Sequence, residues 1–266
     1  MMAVNSAPNL LDGRVVMVSG VGPGLGGAIA SAAASSGARV ALLARRYEVI
    51  DDIKSQIRSH GGEAICVPTD ITSPQQCDDA VSSVMDHWGR IDGLVNNAFQ
   101  QPPFELLEQQ SLDTIREGFE VNLFGHLSLT KSAAPALRDG GGSVVMTLSS
   151  ILRRARPNFG AYKMAKHALL GLTRALAVEL GSGGIRVNAI APGYIYDEPV
   201  KAYFAILAEQ QGRSAEEVEA EITATHPLGF IPTPAQIAKP VLFLLSELAE
   251  ALTGQCLDVN GGEFMV

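Results

Sequence analysis

Short unbroken apolar runs recur along the chain, and each is followed by a stretch whose apolar positions fall at helical spacing. The runs occupy 14–19, 38–44, 63–67, 93–95, 143–148, 186–190 and 255–259. A strand that is apolar on both faces needs cover on both, which a parallel sheet flanked by helices provides. Helical patterns fill 25–36, 46–60, 74–88, 112–138, 161–180 and 234–248. Two of these open on Ser73-Pro74 and Thr233-Pro234, a capping hydroxyl followed by a proline in the first turn, where no N–H is needed. The alternation predicts an α/β fold, a doubly wound parallel sheet of about seven strands with helices on both faces. Such sheets hold their ligands in the crevice at the carboxyl ends of the strands.

The rhythm breaks once. Between 197 and 226 two helical patterns follow one another without a strand, the second opening on Ser214 and Glu217 at capping-box spacing and stopping at Pro227. Loops at this end of an α/β sheet commonly carry substrate contacts, so the pair reads as a helical substrate lid at about 194–226 on a single domain spanning 1–266.

Composition narrows the range of functions. With 47% apolar and 18% charged residues the chain has an ample core and is neither disordered nor collagen-like. A formal charge of −8 disfavours a nucleic-acid surface, which needs clustered cations. Cys66, Cys77 and Cys256 are odd in number and far apart, and the histidines show no ligand spacing, so a reducing compartment and no metal site are expected. Residues 1–10 carry no basic stretch followed by an apolar one, and no run of about 18 apolar residues occurs. The expectation is a cytoplasmic protein with no membrane partner.

The first strand runs directly into Gly20-Val21-Gly22-Pro23-Gly24-Leu25-Gly26-Gly27 and then into an alanine-rich helix. Glycines there let the backbone turn sharply and let a pyrophosphate reach the amides of a helix N-terminus. Gly22, Gly24 and Gly27 fit G-x-G-x-x-G, whereas Gly20, Gly24 and Gly26 fit G-x-x-x-G-x-G; the second begins immediately after the strand and is preferred. At the end of the second strand, where an acid would bind a ribose 2′-hydroxyl, stands Ala44-Arg45-Arg46. The missing acid and the two guanidinium groups favour NADP(H), with NAD(H) as the alternative. Asp70, just past the third strand, is placed to meet the adenine side or to serve as a cap or turn residue.

Tyr162 and Lys166 are four residues apart in a helical segment and so share a face. An ammonium beside a phenol favours phenolate, making it a usable proton donor or acceptor. Ser149 and Ser150 end the fifth strand at the crevice edge, where one hydroxyl, but not both, can face the site and polarise a carbonyl.

Together with Asn96-Asn97-Ala98, Asn122, Pro192-Gly193, Thr253-Gly254-Gln255 and Gly261-Gly262, these motifs make the chain resemble the classical short-chain dehydrogenase/reductase family over nearly its whole length. The family's spacing of serine to tyrosine selects Ser149. The resemblance implies a Rossmann-like fold and a mechanism in which Tyr162 exchanges a proton with the substrate oxygen and Lys166 lowers its pKa while holding the nicotinamide ribose. Ser149 would steady the carbonyl, and Asn122 would hold a water linking Lys166 to solvent. Asn96 and the backbone of Ala98 would border the adenosine and ribose, and Gly193 and Ile195 the nicotinamide; Leu25, Ile71 and Pro192 complete the expected cofactor-binding set.

The departures from the family pattern are Phe99, where glycine is usual, Asp197, where a threonine often contacts the cofactor, and Pro23, which replaces a basic residue that often supports a 2′-phosphate. Phe99, Leu152, Arg153, Tyr194 and Tyr203 are candidates for the substrate wall, an aromatic and mostly apolar surface suited to an alicyclic, aromatic or medium-sized carbonyl compound. The expected activity is hydride transfer between the cofactor and a ketone or secondary alcohol. A 3-oxoacyl-thioester reductase is the rival within the class, and a non-catalytic dinucleotide-binding sensor or scaffold the rival outside it. The family likeness also implies a homotetramer, with helices near 112–138 and 161–180 at one interface.

Overall fold

In the computed structural model, which describes residues 9–101 and 103–265, seven parallel strands form one sheet in the order β3-β2-β1-β4-β5-β6-β7. The strands are β1 (Val15–Ser19), β2 (Arg39–Ala44), β3 (Glu63–Pro68), β4 (Gly93–Asn96), β5 (Ser143–Thr147), β6 (Arg186–Pro192) and β7 (Cys256–Val259). The reading of residues 1–10 falls largely outside the described residues. Strand order reverses direction between β1 and β4, which pair in parallel with Ser19 opposite Asn96. Their carboxyl ends therefore diverge into a crevice at the switch point.

Strands β1 to β6 bury side chains on both faces, which is why their sequences read as continuous apolar runs, while β7 at the sheet edge is half-buried. Helices α1 (Leu25–Ser35), α2 (Tyr47–Ser59) and α9 (Pro234–Leu245) cover one face, around Val16, Val18, Ile29 and Val241. The other face, around Met17, Leu94, Met146 and Leu169, lies under α3 (Pro74–Trp88), α5 (His126–Arg138) and α6 (Gly160–Gly181). Ser73 and Thr233 cap α3 and α9 as their proline-led starts predict. The segment 112–138 is not one α-helix. Between α4 (Leu112–Phe119) and α5 lies a π-helical stretch, Glu120–Gly125, that carries Asn122. Similarly, α9 stops at Leu245, where Ser246 turns extended and caps a short 3₁₀ turn at Glu247–Ala249.

The strandless stretch is two helices, α7 (Glu198–Gln211) and α8 (Ala215–Ala224), and Ser214 with Glu217 forms the expected capping box. They pack on each other through a small cluster of their own, with Phe204, Ala208, Val218 and Ile231 buried together. Having its own core lets the pair sit at the crevice edge without drawing on either main layer.

Candidate active site

The carboxyl ends of β1, β2, β4, β5 and β6 converge on one cleft of about 1210 Å³. Its upper end is the glycine turn. Gly20 takes φ of +71°, and a Cβ there would stand 2.4 Å from the Ala98 Cα, so only glycine lets β1 turn this close to the end of β4. The Asn97 amide locks the approach, its Nδ2 donating to the Gly20 carbonyl at 3.0 Å. Gly22 and Gly24 face outward, with no backbone or side chain closer to a notional Cβ than Asp197 Oδ2 at 3.4 Å from Gly24. Gly24 is the N-cap of α1, makes no side-chain cap bond, and has no acidic residue in the following turn. The first N–H groups of α1 are thus available to an anion, and the open glycine faces leave it room. This donor set fits a dinucleotide pyrophosphate.

Arg45 and Arg46 line the cleft where β2 ends, both exposed, and among the described residues neither has an ion-pair partner. Asp70 also lines it, with Oδ1 accepting from the Thr72 N–H at 3.0 Å and the Thr72 hydroxyl at 2.8 Å, so it is both a turn residue and a wall of the site. Leu25, Ile71, Ala98, Pro192, Gly193 and Ile195 are lining residues too. Asn96 is not. It is fully buried with Nδ2 donating to Thr130 Oγ1 at 2.9 Å, because the last residue of β4 points into the layer under α5; Asn97 is the asparagine that lines the cleft.

The lower end holds the chemistry. Ser149, Tyr162 and Lys166, from the end of β5 and one face of α6, line the same cleft as the glycine turn. Ser150 is buried and turned away, as the alternation of an extended chain requires. Ser149 Oγ accepts from the Ile151 N–H at 3.2 Å and lies near enough to the Tyr162 phenol to lower its pKa. The loop between them is pinned by Lys163, whose Nζ donates to the carbonyls of Ile151 at 2.9 Å and Arg154 at 2.9 Å. Nothing in the sequence distinguished Lys163, since its partners are main-chain oxygens.

Lys166 is buried, and Nζ donates to the Thr147 carbonyl at 2.8 Å. It lies 5.7 Å from the Tyr162 ring centroid and 5.6 Å from that of Phe99, which meets Tyr162 edge-on at 5.4 Å. Burial lowers the Lys166 pKa from 10.5 to about 7. Burial also pushes Tyr162 from 10.0 up to about 12, against a smaller lowering from the Ser149 hydroxyl. The expected depression of the phenol by its lysine neighbour is therefore reversed in the free protein. Both charged forms lose hydration in the same enclosed place, and that cost exceeds their mutual benefit. A phenol at about 12 is a standing proton donor at neutral pH.

Asn122 is enclosed by the π-helical stretch. Its Nδ2 donates to the Gln100 carbonyl at 2.8 Å and the Gly118 carbonyl at 2.9 Å, while Oδ1 accepts from the Gln100 N–H at 3.3 Å. The side chain thus fixes the segment that leaves β4. One turn later, His126 is wholly buried, with Nε2 at 2.9 Å from the Ala98 carbonyl. A carbonyl only accepts, so Nε2 carries the hydrogen and the imidazole is neutral. Desolvation first, then the nearby Lys166 charge, hold its pKa down at about 3, against the raising effect of the Ala98 bond. Sequence reasoning missed His126, although its i+4 spacing from Asn122 on a buried helix face was a usable signal.

Of the expected substrate wall, only Phe99 lines this cleft. Leu152 is buried in the core layer beneath, at the end of the 3₁₀ turn that Ser149 caps. Arg153 is neutralised by Asp258 at 3.0 Å, and Arg154 by Glu263 at 3.0 Å. Tyr194 and Tyr203 stack on one another at 6.3 Å and join Phe204 in the small cluster of α7 and α8.

A family described as enoyl-(acyl carrier protein) reductase matches residues 20–263. The chain belongs to the short-chain dehydrogenase/reductase family. As a member, it is an NAD(P)-dependent oxidoreductase acting on alcohol and carbonyl groups. It is 31% identical over 261 residues to the 7alpha-hydroxysteroid dehydrogenase of Escherichia coli K12, covering 97% of each chain. A 7 alpha-hydroxysteroid dehydrogenase solved with NADH and 7-oxo glycochenodeoxycholic acid superposes with a TM-score of 0.86 at 30% identity, covering 96% of both. NAD+-bound xylitol dehydrogenase gives 0.87 at 28% identity, covering 95% of this chain and 99% of that one. Among the described residues no helix is long and apolar enough to cross a membrane, and no group of metal-ligating side chains occurs.

Proposed function

We propose that this enzyme reduces a ketone, or oxidises the matching secondary alcohol, with NADP(H) as the preferred cofactor and Tyr162, Lys166 and Ser149 as its acid/base group, charge partner and carbonyl donor. The observation that carries the reading is the shared cleft, with an uncapped helix N-terminus at one end and the phenol, amine and hydroxyl at the other. When bound, the dinucleotide supplies or accepts the hydride. Tyr162 gives its proton to the carbonyl oxygen, the Ser149 hydroxyl donates to the same oxygen, and a protonated Lys166 stabilises the phenolate left behind. Asn122, through Gln100, and His126, through Ala98, hold the backbone at the end of β4 that faces this chemistry.

Preference for the 2′-phosphate rests on Arg45 and Arg46, which stand without carboxylate partners where an acid would otherwise reject it. Replacing both with alanine is expected to weaken NADPH binding by about tenfold or more and leave NADH within a factor of about two, measured by calorimetric titration. Equal losses for both cofactors, or none, would remove the NADP preference and leave the oxidoreductase reading standing.

The α7–α8 pair serves in this reading as the substrate lid of a single domain, and the active species is a homotetramer. Exposed apolar side chains on the expected interface helices, Leu112 on α4 and Met164 and Val178 on α6, support that assembly, as does Phe124 between α4 and α5.

A further inference from the structure

Asp197 stands beside Gly24 of the glycine turn and has no part in the proton chemistry above. It ends the loop that leaves β6 through Pro192 and Gly193, and it caps α7, Oδ1 accepting from the Val200 N–H at 3.2 Å. Oδ2 reaches across to the glycine turn, 3.4 Å from where a Cβ on Gly24 would stand. Gly24 begins α1, the helix whose free N–H groups and lack of nearby acids make it fit for an anion. A carboxylate approaching that end from outside the helix lies beside the place a pyrophosphate must take.

The surroundings do little to neutralise it. On α7, Lys201 is paired with Glu198 at 2.7 Å, and among the described residues Asp197 has no ion pair. The glycine turn opposite, Gly20–Gly27, contributes no charged or titratable side chain. Partial burial raises the Asp197 pKa, with the Val200 N–H and its own N–H opposing, Glu198 adding to the rise and Lys201 reducing it. These effects show a carboxylate held in a poorly hydrated position, where a second negative charge is felt strongly.

We infer that Asp197 sets the affinity for the cofactor, its carboxylate opposing the pyrophosphate at the N-terminus of α1 and holding dinucleotide binding below what the glycine turn alone would give. The inference rests on the assignment of this cleft to a nicotinamide dinucleotide. Because the pyrophosphate is common to both cofactors, the opposition is blind to the 2′-phosphate, and Asp197 sets absolute affinity while Arg45 and Arg46 set the preference between them.

The test is calorimetric titration of NAD+ and NADP+ separately into the wild type, Asp197→Asn and Asp197→Ser, with adenosine 2′-monophosphate as a probe that lacks the pyrophosphate. Both replacements can still cap α7, so the fold is retained and equal melting temperatures confirm it. Removing one like charge at this range is expected to tighten NAD+ and NADP+ by about tenfold each and to leave adenosine 2′-monophosphate unchanged. Unchanged or weaker dinucleotide binding in both variants overturns the inference while leaving the dinucleotide site intact. Tightening of all three probes alike overturns it too, because the effect would then not belong to the pyrophosphate. Failure of NAD+ and NADP+ to bind the wild type and the variants alike removes the site itself, and the inference with it.

Discussion

Tyr162→Phe lowers carbonyl reduction by about 10²–10⁴-fold while leaving the dinucleotide dissociation constant where it was. The replacement keeps the buried ring and its edge contact with Phe99 at 5.4 Å, so packing is retained. What is lost is the phenol O–H, which lines the cleft together with Ser149. A phenol raised to about 12 remains protonated through neutral pH, which suits it to give a proton to a carbonyl and handicaps it in taking one from an alcohol. In the wild type, alcohol oxidation should therefore rise with pH across the alkaline range, because its reactive form is the phenolate. Steady-state rates in both directions, with calorimetric binding in parallel, check both points. Turnover retained in the phenylalanine variant would reject Tyr162 as the acid.

Lys166→Met is expected to cost about 10²-fold in turnover and, unusually for a loss of function, to stabilise the fold at neutral pH by about 2 kcal/mol. Burial has moved the Lys166 pKa from 10.5 to about 7. Between those values the unfolded chain holds a proton that the folded protein gives up, so stability rises with pH across that window. Below it the folded protein must carry a buried ammonium, and the destabilisation is at its largest. Methionine has nearly the same reach without the charge. It forfeits the bond to the Thr147 carbonyl, worth about 1–3 kcal/mol when left unmade, which is why the net gain is smaller than the pKa displacement alone implies. Thermal melts from about pH 6 to about pH 10 should show the wild type climbing and the variant flatter over the alkaline half. A variant less stable than the wild type at pH 7 would show that the ammonium is well solvated or paired in the native state.

The sheet was legible because burial on both faces writes itself as unbroken apolar runs, and the strands from Val15–Ser19 to Cys256–Val259 lie within a residue or two of those runs. Tyr162 and Lys166 were legible because an i,i+4 helix face brings them together, and the strand end narrowed the hydroxyl to Ser149 or Ser150, between which the family spacing chose Ser149. The π-helical stretch at Glu120–Gly125 was not, since it accompanies a tertiary clamp between Asn122 and the Gln100 backbone that no local pattern announces. The substrate wall failed for the same reason. Arg153, Tyr194 and Tyr203 have the right chemistry near the right strand ends, but Asp258, 105 residues along the chain, claims the first and the cluster around Phe204 claims the others. The direction of the Tyr162 displacement also escaped sequence reading, because proximity of an ammonium was visible there and depth of burial was not.

The central claim is that a hydride crosses within this cleft to a carbon whose oxygen takes the Tyr162 proton. Incubation with NADPH deuterated at the reactive C4 position of the nicotinamide, against a panel of cyclic and aromatic ketones, tests it most directly. The account predicts an alcohol with one deuterium on the carbinol carbon, formed by the wild type and not by Tyr162→Phe. Tight binding of the dinucleotide with no deuterium delivered to any ketone or acyl thioester would contradict it, and would leave a dinucleotide-binding protein without this chemistry.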